Sequence, residues 1–232
     1  MTRREPVQRR SRERVEQILL AAADQLAKSG RPDDLTTTSV SKGSGVPVAT
    51  IYRYFADRMA IIAALIDREL DEVDLAVATY VERLETVTIR SLFEAMMMAH
   101  LRHFQGRRRA ILLWFGARKS AVVLKRVDQR YAEMAQWLFE ATTASGMLRP
   151  ETPEWGTESV VWLSDRTFEF IFRKERTPQE QEQIMIEMIE MITSHIDAKY
   201  ATAVGIEGVP CDEFLAHAGK FHFPTAPGLE GP

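Results

Sequence analysis

The stretch GVPVATIYRYF, residues 45–55, carries polar side chains of the types and spacing that bind another molecule. A helix this short has one inward stripe, and Ile51 and Phe55, four residues apart, can face a core. The polar residues beside them cannot all follow: Thr50, Tyr52, Arg53 and Tyr54. Hydroxyl and guanidinium groups hydrogen-bond phosphates and base edges. The stretch therefore predicts a short helix that presents its polar side to a partner outside the fold.

Charge is distributed unevenly along the 232 residues, although the formal net charge is only -3. Residues 1–58 hold 11 Lys and Arg against 7 Asp and Glu, and the rest of the chain is acidic. A basic end on an acidic body is typical of a protein that contacts a polyanion at that end. The first arginines then have two interpretations, an arm that follows a DNA minor groove or a solvated tail that only raises the local charge: Arg3, Arg4, Arg9, Arg10 and Arg12.

Three helices are predicted around the polar stretch. Apolar residues at helical spacing mark a first helix from about residue 10 to Ser29, and Gly30 ends it. A threonine run can cap a short second helix, Gly43 and Gly45 punctuate its end, and Pro47 suits the first turn of the third. Two short helices joined by a tight turn and braced by a longer one form a helix-turn-helix. The predicted core is Ile18, Ala22, Leu26, Val40, Val46, Ile51 and Phe55.

Residues of about 10–60 resemble the DNA-binding domain of the TetR (tetracycline repressor) family of bacterial regulators. The match lies in a threonine-led second helix, a Gly-Val turn, a Thr-Ile-Tyr-x-Tyr-Phe third helix and a basic residue three positions later: Thr37, Gly45, Val46, Thr50, Ile51, Tyr52, Tyr54, Phe55 and Arg58. The resemblance implies a homodimer on an inverted-repeat DNA operator. It implies a small, largely apolar effector that releases the DNA.

Roles for individual residues follow from the same resemblance. Thr37 and Thr38 would contact phosphates, and Arg58 would anchor another. Val48, Ala49 and Thr50 would face base edges, whereas Tyr52, Arg53 and Tyr54 would lie on or near the DNA backbone. For Tyr52 the alternative is a core tyrosine braced against the fourth helix, and one side chain could fill both roles at once.

Two departures from the family pattern stand in this region. Val48 is apolar where a polar base-reading side chain is common, which favours contact with a thymine methyl or reading of DNA shape. Ser41, Gly43 and Ser44 replace residues that favour helix more strongly. We therefore expect a short or mobile second helix.

The remaining chain is helical as well, so the predicted fold class is all-α with about nine helices. We expect an N-terminal arm and helix-turn-helix domain at residues 1–56, and a larger effector-binding and dimerisation domain at 57–200. Gly and Pro are dense in residues 201–232, which predicts a loose tail with at most a helical turn around 212–218.

Dimerisation and effector binding are assigned to the larger domain. The last two long helices are the predicted interface, with a core helix of a monomer as the alternative: Phe168, Phe172, Met185, Met188, Ile189, Ile192 and Ile196. Large adaptable side chains in the middle helices are pocket candidates, although plain core is the alternative for each: Phe93, Met97, His100, Phe104, Trp114, Trp137 and Trp162. His100 is the polar group expected to orient an effector.

Catalysis, cofactors and metals are not expected. The single cysteine, Cys211, excludes an internal disulfide and fits a reducing cytoplasm. We find no motif of the serine hydrolases, zinc proteases, P-loop enzymes or dinucleotide-binding folds. His100 and His103 lie three apart on a helix, which would suit a metal, but no companion carboxylate or cysteine pattern in the sequence supports one. No apolar run has the roughly 20 residues of a membrane span. A DNA-bound regulator or scaffold with no small effector, controlled by a protein partner, is the alternative function.

Overall fold

The structure is a computed structural model that describes residues 4–116 and 121–219. Within these residues the chain forms eleven α-helices and two strands of two residues each, so the predicted all-α class is confirmed. The residues divide into two compact units. The first comprises those up to Asp71 and those from Arg107 to Arg126, and the second comprises Glu72–Gly106 and the residues from Val127 onward.

The first unit opens with the predicted three helices. They are α1 (Arg4–Ser29), α2 (Thr37–Ser44) and α3 (Val48–Tyr54), with a 3-10 turn at Pro32–Asp34 before α2. All seven residues of the predicted helix-turn-helix core are buried. The helix α4 (Arg58–Val81) begins in this unit and continues into the second, and α6 (Arg108–Ile111) with a π-helical turn at Leu112–Gly116 completes the first.

The second unit is built from long helices. They are α5 (Ile89–Phe104), α7 (Ala121–Ala144), which begins in the first unit, α8 (Trp155–Phe172) and α9 (Pro178–Lys199). Capping boxes start α5 and α9, where Thr88 and Thr177 accept hydrogen bonds from the backbone N–H three residues later. Such caps satisfy orphan donors at a helix start. In the second unit α9 packs against both α5 and α8.

Residues 201–219 differ from the loose tail that their composition predicts. They form α10 (Ala203–Glu207), β2 (Val209–Pro210) and α11 (Cys211–Ala218), and β2 pairs antiparallel with β1 (Thr86–Val87). Phe214 of α11 is fully buried, with its ring edge-on to Trp137. Burial of one large aromatic outweighs the weak local propensity of the segment. The rest of the predicted tail, 220–232, lies outside the described residues.

A glycine allows the close approach of α10. A Cβ at Gly205 would lie 2.3 Å from the Met147 carbonyl oxygen and 2.8 Å from Cδ1 of Ile89. Only glycine fits at that distance, which places α10 directly on the chain before α8. Among the residues that the structure describes, every helix is too short or too polar to cross a membrane.

Candidate nucleic-acid interface and ligand cavity

The second helix of the helix-turn-helix is fixed at its start by hydrogen bonds. Thr36 caps α2 and forms a reciprocal capping box with Ser39. The Ser39 hydroxyl also donates to Oε1 of Gln25 on α1, at 2.6 Å. Side-chain caps of this kind stabilise a helix by about 1 kcal/mol. They hold Thr37 and the exposed Thr38 at the first turn of α2, where the predicted phosphate contacts would be made.

The turn between α2 and α3 uses the residues that depart from the family pattern. Gly45 has φ 70°, in the left-handed region, and ends α2. The Ser41 hydroxyl donates to the Val46 carbonyl at 2.7 Å, and the Val46 N–H donates to Oγ of Ser44 at 3.2 Å. At Gly43 an added Cβ would lie 3.3 Å from Cβ of Ala21, so α1 and α2 cross closely there. These residues therefore have structural roles in the turn.

The recognition candidate α3 has one buried side and one open side. Ile51 and the following Phe55 are buried, as the spacing predicts. On the other side Ala49 and Arg53 are exposed and Tyr52 is 53% exposed, whereas Val48, Thr50 and Tyr54 are half-buried. Within the described residues Arg53 has no ion pair, so its guanidinium is available to an anion. The open side is the one that the sequence assigns to base edges and backbone.

The two tyrosines of α3 make different contacts. The Tyr52 hydroxyl lies 3.3 Å from Oγ1 of Thr37, which brings two of the predicted phosphate-binding groups together. The Tyr54 hydroxyl accepts a hydrogen bond from the Ser11 hydroxyl, also at 3.3 Å, and so ties α3 to α1. Tyr52 is thus an exposed side chain beside α2, and not the core tyrosine braced against the fourth helix that was its alternative.

Arg58 lies in a different setting from the free phosphate anchor that the resemblance implies. Its Nη1 donates to the Asp33 backbone carbonyl at 2.6 Å, and its Nη2 is 3.7 Å from the Asp33 carboxylate. The guanidinium thus links the start of α4 to the turn before α2. A phosphate at this position would have to share or displace Asp33.

The residues predicted to form an arginine-rich arm are helical from Arg4 onward. Because α1 already begins at Arg4, Arg9, Arg10 and Arg12 project from a helix and all three are exposed. Arg9 also pairs with Glu13 one turn later, at 3.3 Å. Arginines at this helical spacing do not form an extended arm for a minor groove. Arg3 lies outside the described residues.

The second unit contains a cavity of about 470 Å³. Its walls come from the start of α5, the end of α7, the start of α8 and the end of α9. Apolar side chains make most of the lining, among them Leu92, Phe93, Leu138, Val160 and Ile192. Volumes of roughly 300–1,000 Å³ with such linings are typical of small-molecule sites.

Only Phe93 of the seven predicted pocket residues lines this cavity. Met97 and Phe104 are buried, Trp114 is buried in the first unit, and Trp162 meets the ring of Tyr131 edge-on at 5.3 Å. The Trp137 indole N–H donates to the Ala218 carbonyl at 2.9 Å, so α11 covers that side chain. Contacts within the chain cover these side chains fully or, for Trp137 and Trp162, in part.

His100 packs among aromatic rings away from the cavity. Its ring centroid is 5.7 Å from that of Phe168, and Nδ1 is 2.7 Å from the Met96 carbonyl oxygen. Although part of the residue keeps contact with solvent, burial lowers the pKa of the imidazole from 6.5 to about 4, against the raising effect of the Met96 carbonyl. The neighbouring His103 lowers it further. The ring is therefore neutral at pH 7, and it does not serve the orienting role predicted for it in this cavity.

The predicted dimer residues lie mostly inside the chain. Phe168, Met185, Met188, Ile189 and Ile192 are buried and Phe172 and Ile196 are half-buried. The pair α8 and α9 exposes other apolar residues, namely Trp162, Leu163, Phe170, Ile186 and Met191. Periodicity detects that a helix has a broad apolar surface, but it does not tell which part of that surface its own chain covers.

Several cavity residues were missed by sequence reasoning. Thr152 lies in the loop before α8, and His195, Lys199 and Tyr200 lie at the end of α9. His195 and Lys199 are one helical turn apart and Tyr200 follows them, but Thr152 lies far away in the sequence, and no spacing connects it to the other three. Only the folded chain brings them to one cavity.

Comparisons with known proteins were made by sequence and by structure. The sequence matches no model of a known protein family. Over 67 residues it is 31% identical to the HTH-type transcriptional regulator EthR of Mycobacterium tuberculosis. That match covers 29% of this chain and 31% of the relative, so less than a third of the relative's length is spanned.

Solved structures match over much more of the chain. A TetR-family regulator from Streptomyces coelicolor superposes with a TM-score of 0.60 at 24% identity, covering 82% of this chain and 98% of that one. A putative TetR-family regulator from Syntrophomonas wolfei gives 0.61 at 16% identity, covering 78% and 96%. RolR, solved in complex with resorcinol, gives 0.58 at 14% identity, covering 94% and 98%. These likenesses establish the fold.

Proposed function

We propose that this chain, which has the fold of the TetR family of transcriptional regulators, binds double-stranded DNA through α3 and responds to a small molecule held in its second unit. The observation that carries the proposal is the open side of α3. Ala49, Tyr52 and Arg53 are exposed beside a buried stripe, on the second helix of a helix-turn-helix. Such a helix enters the major groove with its N-terminal residues on base edges.

A homodimer on an inverted repeat is part of the proposal. One short recognition helix offers few base contacts, and two-fold pairing of readers doubles the specific contacts on a palindromic site. The exposed apolar residues of α8 and α9 support such pairing, because a large exposed apolar surface favours association. The EthR relative and the structural neighbours are transcriptional regulators, which supports regulation over catalysis.

The cavity favours a small effector over control by a protein partner alone. For the effector to release DNA, it must bind better to the arrangement of the protein that does not bind DNA. The coupling is reciprocal, so bound DNA must weaken effector binding by the same factor. Because α4 contributes residues to both units, it is the element through which we expect that coupling. RolR, one of the structural neighbours, was solved with a small aromatic ligand.

The test begins with selection of bound duplexes from a random DNA pool by the full chain. We expect an inverted repeat, bound with a protein mass of one or two dimers. On that repeat Thr50→Ala should weaken specific binding by about 1–3 kcal/mol and leave binding to random DNA unchanged. Thr79→Ala, on α4, is the control. Absence of any enriched sequence would contradict the proposal and favour a scaffold controlled by a protein partner.

A further inference from the structure

The ligand cavity combines an apolar body with a small polar end. This inference rests on the proposed function and specifies the chemistry of its effector. The polar end is formed where the loop before α8 meets the end of α9. The Arg149 N–H donates to the Tyr200 carbonyl at 2.9 Å, and the Arg149 carbonyl accepts from the Thr152 N–H at 3.0 Å. These bonds bring the loop that carries Thr152 to the residues that follow Lys199.

The feature that points to a polar group on the ligand is the Thr152 hydroxyl. Its Oγ1 is fully buried and makes no hydrogen bond within the described part of the chain. A buried polar atom without a hydrogen bond is costly, and a native protein rarely retains one without a reason. Thr152 lines the cavity, so rotation of its side chain about the Cα–Cβ bond would present this hydroxyl to a ligand with a hydrogen-bonding group.

The charge of the lining has one sign. Among the described residues that line the cavity, the exposed Lys199 is the only Lys or Arg, and none is Asp or Glu. The Lys199 ammonium lies 4.9 Å from the centroid of the Tyr200 ring, a cation–π contact that places the cation at the end of α9. His195 lines the same region, with its ring 6.0 Å from that of Tyr200. An anionic group is therefore favoured there and a cationic one is disfavoured.

We infer that the cavity binds a small carboxylic acid with an apolar body, whose carboxylate contacts Lys199 and the Thr152 hydroxyl while its body lies against the apolar walls. The walls include Leu92, Phe93 and Leu138. The carboxylate accepts from the ammonium and the hydroxyl, and burial of the body supplies most of the affinity.

Three probes that share one apolar chain test the charge preference. Decanoate, decan-1-ol and decylamine are titrated into the full-length protein at pH 7.5 below their aggregation concentrations, with binding followed by calorimetry. Decanoate should bind at least tenfold more tightly than decylamine, with decan-1-ol between them. Equal affinities for decanoate and decylamine, or no binding of decanoate, would overturn the inference.

Variants at the polar end separate charge from fold. Lys199→Met should weaken decanoate at least fivefold and leave decan-1-ol unchanged, because methionine keeps the apolar stem. Lys174→Met, at an exposed lysine after α8, is the matched control and should change neither. Thr152→Val should weaken decanoate and decan-1-ol together. Loss of decan-1-ol binding in Lys199→Met would mean that the lysine acts through the fold, which would contradict its role as the anion site.

A cavity-filling variant tests the location. Gly156 lines the cavity near the start of α8, and a Cβ added there meets no atom within 4 Å. The Cβ of Gly156→Leu therefore meets no clash, and we expect its side chain to occupy part of the space and to favour the helix. We expect at least a tenfold loss of decanoate affinity with an unchanged melting temperature. Unchanged decanoate affinity of the variant would overturn the inference. A second result would also overturn it: the native chain fails to bind decanoate and Gly156→Leu no longer dimerises. The space would then be occupied by a second copy of the chain.

DNA release separates this inference from the proposed function. Decanoate that binds as expected but leaves the selected inverted repeat bound would uphold the acid-binding cavity and contradict effector control. Release of DNA by decylamine or decan-1-ol with no response to decanoate would uphold effector control and contradict the acid. The two failures therefore give different results.

Discussion

At the scale of single residues, two arginines predicted to lie near the DNA backbone differ in whether their guanidinium groups are free to bind a phosphate. Arg53 on α3 is exposed and has no ion pair within the described residues, whereas Arg58 at the start of α4 is held by Asp33. A cation already paired with a carboxylate gains less from a phosphate than a hydrated one, because binding must break the existing pair. Arg53 is therefore the better candidate for a phosphate contact.

Arg53→Ala should weaken binding to all DNA sequences alike. Loss of one phosphate contact reduces the slope of log affinity against log salt by about one. The measurement is affinity for the selected repeat and for random DNA between low and moderate salt. Arg83→Ala, at an exposed arginine outside the first unit, should leave both slopes unchanged. A loss confined to the selected repeat would instead assign Arg53 to base reading.

His100 should make the stability of the protein depend on pH. Its pKa falls from 6.5 to about 4 on folding, so the unfolded chain binds the proton more tightly. The contribution of neutral His100 to the free energy of unfolding is therefore fully present above pH 6.5 and is lost as the pH falls from about 6.5 toward 4. Between pH 7.5 and 5 the loss attributable to this group is about 2 kcal/mol. Denaturant unfolding across this range should show a smaller pH slope for His100→Phe.

The control for this titration is the exposed His217. His217→Gln removes an exposed imidazole and serves as the comparison variant in the same unfolding series. An identical slope in the His100→Phe variant would show that other groups cause the acid sensitivity.

At the scale of elements, the helix-turn-helix depends on one backbone conformation in its turn. Gly45 adopts φ 70° and an added Cβ would meet nothing within 4 Å, so the only obstacle to a side chain there is the backbone conformation itself. The left-handed region costs an L-residue roughly 1–2 kcal/mol, and asparagine tolerates it better than alanine.

Gly45→Ala should therefore destabilise the native fold by about 1 kcal/mol, as measured by denaturant unfolding. Gly45→Asn is the matched variant and should lose clearly less, because its side chain can hydrogen-bond locally in this conformation. Equal losses for the two variants would show that the side chain, and not the backbone conformation, decides the cost.

At the scale of the whole molecule, the second unit exposes apolar side chains on α8 and α9 that could bind a partner. Phe170 and Ile186 are 55% and 50% exposed on α8 and α9, and Leu163 and Met191 are exposed as well. Leu163 and Met191 also line the cavity, whereas Phe170 and Ile186 do not. Exposed apolar residues on two neighbouring helices favour a self-complementary interface between copies, and Phe170 and Ile186 are its candidates.

Phe170→Glu should raise the dimer dissociation constant at least tenfold, because a carboxylate would replace an aromatic ring in a desolvated contact. Sedimentation of the full chain at several concentrations measures the effect. Leu75→Glu changes an exposed leucine on α4 and should leave the dimer intact. A native chain that sediments as a monomer, or a Phe170→Glu variant that still dimerises, would contradict this interface.

The sequence by itself determined the helical class and the helix-turn-helix, including its seven core residues and the open side of α3. These features follow from local rules of helix periodicity, capping and glycine turns, which act within a few residues. Tertiary structure alone decided which side of α9 is buried, where Arg58 binds, that α11 folds against Trp137, and which residues distant in sequence line the cavity. The physical reason is that burial and pairing at these positions depend on side chains far away in the sequence, and local spacing does not predict such contacts.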